Sequence, residues 1–267
     1  TWLGFTLGAA SVIRPSNQIV LVMAAIWLAW KDRRAFISFA LGAIAPLTLQ
    51  VVYASRHLGF AFAQGQLLQG ARIAYFKTGT TQIWKFPPWE GLPGVLISPS
   101  RGLFVFSPFL IASLRPIAAG ITILKKSKAV PDLSTQQGQT VFMGLAAAAL
   151  ILVGASWFDW WGGWSFGYRS VMDSVVFLTP LAALGWNTWA KPRLFQILAA
   201  WAICVQAIGA FSSDFTQWNN GPDVDKNPKR LWSLVDSQIL WHFTHPGFKA
   251  SGWRLLSAWA MGENASF

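Results

Sequence analysis

The sequence predicts an all-α fold, a polytopic transmembrane helix bundle of about six spans, and three observations carry that prediction. Hydrophobic residues make up 54% of the chain and charged residues 12%, whereas soluble domains carry about 25% charged residues. Mean hydropathy is positive, at +0.41. The apolar residues gather into blocks of roughly 17–23, the length a helix needs to cross about 30 Å of hydrocarbon. Basic residues collect in the short links between these blocks, which accounts for a net charge of +11 without a nucleic-acid partner. The single cysteine, Cys204, lies inside an apolar block, so neither a disulfide framework nor a thiolate metal site is expected.

Taken in order, residues 2–13 read as the end of one span, broken by Arg14-Pro15-Ser16-Asn17, and residues 18–30 are apolar again. Proline among polar residues favours a bend there. The link 31–34 precedes a full-length span over 35–53 that contains Pro46, which neighbouring helices can accommodate. Residues 54–101 form a long mixed segment. Its first part, 58–76, reads as an amphipathic helix at the membrane interface, and its latter part, around Phe86-Pro87-Pro88-Trp89, as loop. A further span is expected within 95–124, interrupted by Arg115-Pro116, and is followed by Lys125, Lys126 and Lys128. Spans over 140–157, 171–186 and 194–212 complete the set, with Lys191 and Arg193 in the last basic link. The domain division is thus a transmembrane domain at 1–212 and a polar, non-cytoplasmic tail at 213–267.

Alternating spans place the links 31–34, 125–139 and 187–193 on one face, and 54–101, 158–170 and the tail on the other. The basic links mark the first face as cytoplasmic. Thr1 falls within an apolar run, with no signal-peptide pattern before it. The chain is therefore expected to be part of a longer protein. Walker and dinucleotide glycine patterns, metal-spaced His/Cys clusters and 20–50-residue repeats are absent from the sequence.

Candidate functional residues lie in the outward segments. Ionisable groups at a membrane boundary are costly and mark function more often than chance, and Arg14, Glu90, Arg101, Asp159, Arg169, Asp173 and Asp214 all sit there. The stretch 157–173, WFDWWGGWSFGYRSVMD, combines tryptophans with Gly162-Gly163 and Gly167. An aromatic belt explains tryptophans such as Trp161 and Trp164, whereas the glycines point to tight backbone or close approach of a ligand. Arg169 and Asp173, four apart, are placed either to contact a ligand or to pair with each other on a helix. Ser100 before an apolar run is a candidate helix cap. With Arg101 it reads either as an anion site or as a plain cap beside a snorkelling arginine.

Three motifs carry a resemblance: the Gly-rich span ending in Arg14-Pro15, the run Ser98-Pro-Ser-Arg-Gly-Leu-Phe-Val-Phe-Ser-Pro, and Trp161-Gly-Gly-Trp-Ser-Phe-Gly-Tyr-Arg. Together they resemble the polytopic glycosyltransferases of the GT-C class, more narrowly the bacterial and archaeal relatives of protein O-mannosyltransferases and lipopolysaccharide-core transferases. The resemblance runs over much of 1–215, with Gly167-Tyr168-Arg169 standing where Gly-Pro-Arg is the expected pattern. It implies transfer of a sugar, with inversion, from a polyprenyl-phosphate carrier to a glycan, lipid or protein acceptor on the outer face of a prokaryotic plasma membrane. It places the usual catalytic acid in an outer loop upstream of Thr1. It also implies carrier-phosphate contacts from Arg101 and Arg169, and acceptor or divalent-metal contacts from Asp159. The competing expectations are a transporter or flippase of lipid-linked sugars, with Pro46 and Arg115-Pro116 as its broken-helix candidates, and a non-catalytic membrane subunit.

Overall fold

The computed structural model describes residues 1–60, 64–126, 131–186, 192–211 and 215–244. Expectations for Lys128, Lys191, Asp214 and the tail beyond 244 fall outside the described residues. Within them the protein is helical throughout, with four helices long and apolar enough to cross a membrane: Arg33–His57, Pro108–Lys126, Gln136–Ser156 and Pro192–Phe211. Two apolar helices are shorter, α1 (Trp2–Ile13) and α2 (Asn17–Lys31).

The turn at 14–16 separates α1 from α2 as the proline and polar residues require. Asp32 then starts α3 (Arg33–His57) by accepting hydrogen bonds from the backbone N–H groups of Arg34 and Ala35, satisfying donors that a helix start leaves open. Helix α1 runs parallel to α3 at backbone contact. A Cβ on Gly4 would lie 1.9 Å from the Phe39 carbonyl oxygen, and one on Gly42 2.0 Å from that of Thr1. Gly8 sits against the ring of Pro46, the close neighbour that lets α3 carry a proline without breaking.

The segment after α3 holds α4 (Gly65–Thr78) and α5 (Pro88–Ile97). The loop expected around Phe86–Trp89 gives way to helix sooner than its prolines suggested. Pro88 occupies the first position of α5, where a missing N–H removes no bond. A short α6 (Leu103–Phe106) and a 3-10 turn at Pro108–Ser113 lead into α7 (Leu114–Lys126). Arg115-Pro116 therefore does not interrupt a span. It marks the passage from 3-10 turn to α-helix, in the first turn of α7.

Thr135 caps α8 (Gln136–Ser156), accepting from Gly138 N–H at 3.1 Å. After the loop 157–171 come α9 (Met172–Trp186) and α10 (Pro192–Phe211). At 15 residues, α9 rises only about 22 Å, short of a full crossing. The indole Nε1 of Trp27 donates to the Pro131 carbonyl at 3.1 Å, so the ends of α2 and α8 that carry basic links lie together. At the opposite end Arg14 and Ser16 hold Asp173, in the first turn of α9, at 2.9 and 2.6 Å.

The described part of the tail is not a detached polar appendage. Helix α11 (Phe215–Asn220), a 3-10 turn at Pro228–Trp232 and α12 (Gln238–Thr244) fold back over the loops. Trp218, Val224 and Leu231 enter the same apolar cluster as Val95, Leu103, Trp160 and Leu178. Apolar residues thinly scattered in a polar stretch supply this contact, which is why composition alone reads the segment as a tail.

Candidate functional site

The loop after α8 is shaped by Asp159. Its carbonyl accepts from Gly162 N–H at 2.9 Å and its Oδ1 from Gly163 N–H at 2.8 Å. Gly162 and Gly163 both take positive φ, 77° and 63°, a conformation that side chains with a Cβ resist. The doublet thus turns the chain back so that its own carboxylate is fixed in place. Asp159 is 7% exposed.

Lys77, from the last turn of α4, reaches this carboxylate and a second one. Its Nζ lies 3.0 Å from Asp159 Oδ2 and 2.7 Å from Asp225 Oδ2, while Trp161 Nε1 donates to Asp225 Oδ1 at 2.9 Å. Burial pushes the Asp159 carboxyl above the usual carboxylate range, against the pull of Lys77. Burial also works to lower Lys77, yet Asp159 and Asp225 together hold its ammonium above the ordinary lysine value. One ammonium between two carboxylates leaves the trio with a net negative charge.

Behind this surface Arg101 is 1% exposed, and the layer around it is built from its donors. Its NH groups donate to the Ser100 carbonyl at 3.1 Å, the Gly163 carbonyl at 3.2 Å, Asn219 Oδ1 at 2.6 Å and Gln238 Oε1. The guanidinium also stands over the Trp218 ring, 5.2 Å from its centroid. Burial lowers its pKa to about 9, opposed by Asp159 and Asp225, so it stays cationic at neutral pH. Gln238 Nε2 and Asn219 Nδ2 both donate to the Ser165 carbonyl, and Gly167 N–H donates to Gln238 Oε1. The loops at 98–102 and 157–171 and the C-terminal segment are thereby tied into one cap.

This geometry redistributes the residues singled out from sequence. Arg101 is an internal tie of the cap, its four NH contacts all made to protein, and does not reach the surface where a phosphate would bind. Ser100 does not cap the helix that follows it and instead serves the first N–H of α12. Its hydroxyl accepts from Gln238 N–H at 3.2 Å, and Gly102 stands at the start of α6. Asp173 is engaged by Arg14 and Ser16, not by Arg169, because Arg169 lies in a 3-10 turn before α9 begins. Arg169 itself is exposed, and its side chain forms no ion pair or hydrogen bond among the described residues. Its Cβ lies on the Gly162 side of the glycine turn, where a Cβ added to Gly162 would come within 3.2 Å of it, while Asp159 Oδ2 lies on the Gly163 side. Trp161 is half-buried and serves Asp225, and Trp164 is 43% exposed beside them.

Lys77, Asp225, Asn219 and Gln238 escaped sequence reading, since each comes from a segment whose partner is more than 60 residues away. The one available signal was Asp159 itself, a carboxylate among tryptophans that requires a counter-ion. Among the described residues no three His, Cys, Asp or Glu side chains gather to hold a metal ion. A groove of about 510 Å³ between α2 and α3 is lined by apolar side chains such as Leu21, Phe39 and Leu47, away from these charges. No family model, curated protein or solved structure matches this chain.

Proposed function

We propose that this chain is the membrane-embedded part of a glycosyltransferase that takes a sugar from a polyprenyl-phosphate carrier at the outer face of the bilayer. The observation that carries the reading is Arg169, an exposed cation whose side chain has no partner among the described residues, beside the glycine turn that holds Asp159. A carrier phosphate needs a cationic donor of this kind at the membrane surface, and an acceptor hydroxyl needs a carboxylate close to it. In this reading about six segments cross or enter the bilayer. The basic links face the cytoplasm, α4 lies along the outer interface, and Trp161 and Trp164 offer ring faces to the sugar.

The helix geometry favours an enzyme over a transporter of the same lipid. Helix α3 continues through Pro46, and Pro116 lies in the first turn of α7, so neither proline makes an unwound mid-membrane segment.

The reading is tested by carrier binding in nanodiscs. A charged hydrogen bond contributes about 1.5–3 kcal/mol, so Arg169→Ala is expected to weaken polyprenyl-phosphate binding by about one to two orders of magnitude. Arg169→Lys is expected to recover part of the loss, since lysine keeps charge without the bidentate fork. Unchanged affinity in folded Arg169→Ala sinks the phosphate role. Orientation is tested separately by labelling Trp164→Cys and Ser134→Cys in intact cells, with Cys204 replaced. Labelling of Ser134→Cys but not Trp164→Cys from outside reverses the topology.

A further inference from the structure

We propose that Lys77 and Asp225 are positioning residues for Asp159 as the proton acceptor of the transfer, a unit assembled from α4, the 157–171 loop and the C-terminal segment. The proposal rests on the glycosyl-transfer reading above but departs from the upstream acid that the resemblance implies, assigning the acceptor's proton to a carboxylate of this chain.

The geometry gives each atom a task. Asp159 Oδ1 is occupied by Gly163 N–H and Oδ2 by Lys77 Nζ. A carboxylate oxygen has two lone pairs, so each keeps capacity for one further donor. As the acceptor oxygen bonds to the anomeric carbon, its proton passes to Asp159. The bond from that carbon to the carrier oxygen breaks, its electron pair stays on the departing phosphate, and Arg169 faces the charge left there.

The charged groups facing Asp159 are Lys77 from α4, Asp225 from the C-terminal segment and Arg101 from the 98–102 loop, with Arg169 across the turn in its own loop. Lys77 opposes the burial that raises the carboxyl. Asp225 shares the ammonium, at 2.7 Å against 3.0 Å, so that Asp159 is not its sole partner. Deleting the two partners is therefore expected to move Asp159 in opposite directions.

The test is infrared titration of the protonated-carboxyl band of the full chain in phosphatidylcholine nanodiscs, with Asp159→Asn identifying the band. An opposite charge this close shifts a carboxyl by about 1–3 pH units. Lys77→Met is expected to raise the Asp159 midpoint by about one pH unit or more, and Lys77→Arg to restore it. Asp225→Asn is expected to lower it. Midpoints that stay fixed, or that move the same way in Lys77→Met and Asp225→Asn, overturn the proposal. If Lys77→Met fails to fold, Asp225→Asn decides alone, and a midpoint that does not fall overturns it. Polyprenyl-phosphate binding is measured on the same samples. Binding retained with unmoved midpoints refutes the positioning roles and leaves the glycosyl reading standing, whereas absent wild-type binding refutes that reading itself.

Discussion

The bundle around α1 and α3 and the cap hold themselves together by different physics. In the bundle, backbone meets backbone. Gly4, Gly8 and Gly42 let two helices touch, and the polar link beside them among the described residues is between the hydroxyls of Thr1 and Ser38. In the cap, long side chains cross between loops. Arg101 and Arg230 bracket Trp218, and Gln238, Asn219 and Asp236 complete the net. The difference follows from solvent. Lipid offers no hydrophobic drive between helices, so small residues and close van der Waals contact must supply the association. The cap, built from loops, leaves carbonyls at Ser100, Gly163, Ser165, Trp218 and Pro222 that require donors. Arginine, with five N–H groups, meets several at once.

The largest effect that would sharpen this contrast comes from Arg101→Ala. It removes a charged donor from Asn219 Oδ1, Gln238 Oε1 and the Ser100 and Gly163 carbonyls, and a buried polar atom that loses its partner costs about 1–3 kcal/mol. The melting temperature is expected to fall by on the order of 10 °C. Hydrogen exchange should rise in 157–171 and 215–244 while α1 and α3 stay protected. A loss spread evenly over bundle and cap would remove the distinction drawn above, and exposed Arg169→Ala, expected within about 0.5 kcal/mol of wild type, serves as its control.

These arginines also show what the sequence made legible. Both stand in outward loops beside glycines and serines, and nothing local separates them. Burial is decided by Trp218, Asn219 and Gln238, which arrive from more than 50 residues away. The long apolar helices were readable because lipid imposes a length and a composition on each one independently. Asp32 and Thr135 show the same locality, each capping a helix two or three residues ahead. The ion trio was half legible. Asp159 stood out, while Lys77 is one of five lysines and arginines in the mixed segment 54–101 and Asp225 falls in the polar tail.

A smaller effect is expected in the bundle. Gly42→Leu pushes a side chain into the Thr1 carbonyl, 2.0 Å from where its Cβ must sit, and overpacking of this kind costs about 1–3 kcal/mol. Exchange should accelerate in α1 and α3 while cap amides keep their protection. At the seam between the regions, the Arg14–Asp173 pair is 30% and 16% exposed at its two side chains. A double-mutant cycle of Arg14→Gln with Asp173→Asn should give a coupling of about 1 kcal/mol or less. A markedly larger coupling would mean that bundle and cap fold as one cooperative unit.

The smallest expected effect is the pH dependence of the cap, where two carboxylates act with opposite sign. Hydrogen bonds from Arg230, at 2.5 and 3.0 Å, hold the Asp236 carboxyl below its ordinary range. Its contribution is therefore present above the unfolded carboxylate pKa of about 3.9 and is lost as pH falls through the lower folded value. Asp159 runs the other way. Burial raises its folded pKa, so the folded state binds its proton more tightly than the unfolded chain does. Its contribution is present below about pH 3.9 and is lost as pH rises through the raised value. Asp159→Asn should then remove a decline in melting temperature between those two pKa values, whereas Asp236→Asn should lower stability at neutral pH and flatten the acid limb. Melting curves of both variants at half-unit steps from pH 3 to 8 measure this. Parallel pH profiles for the two variants would mean that Lys77 pairs with Asp159 strongly enough to overcome burial, and the carboxylate would then be too firmly held to accept a proton.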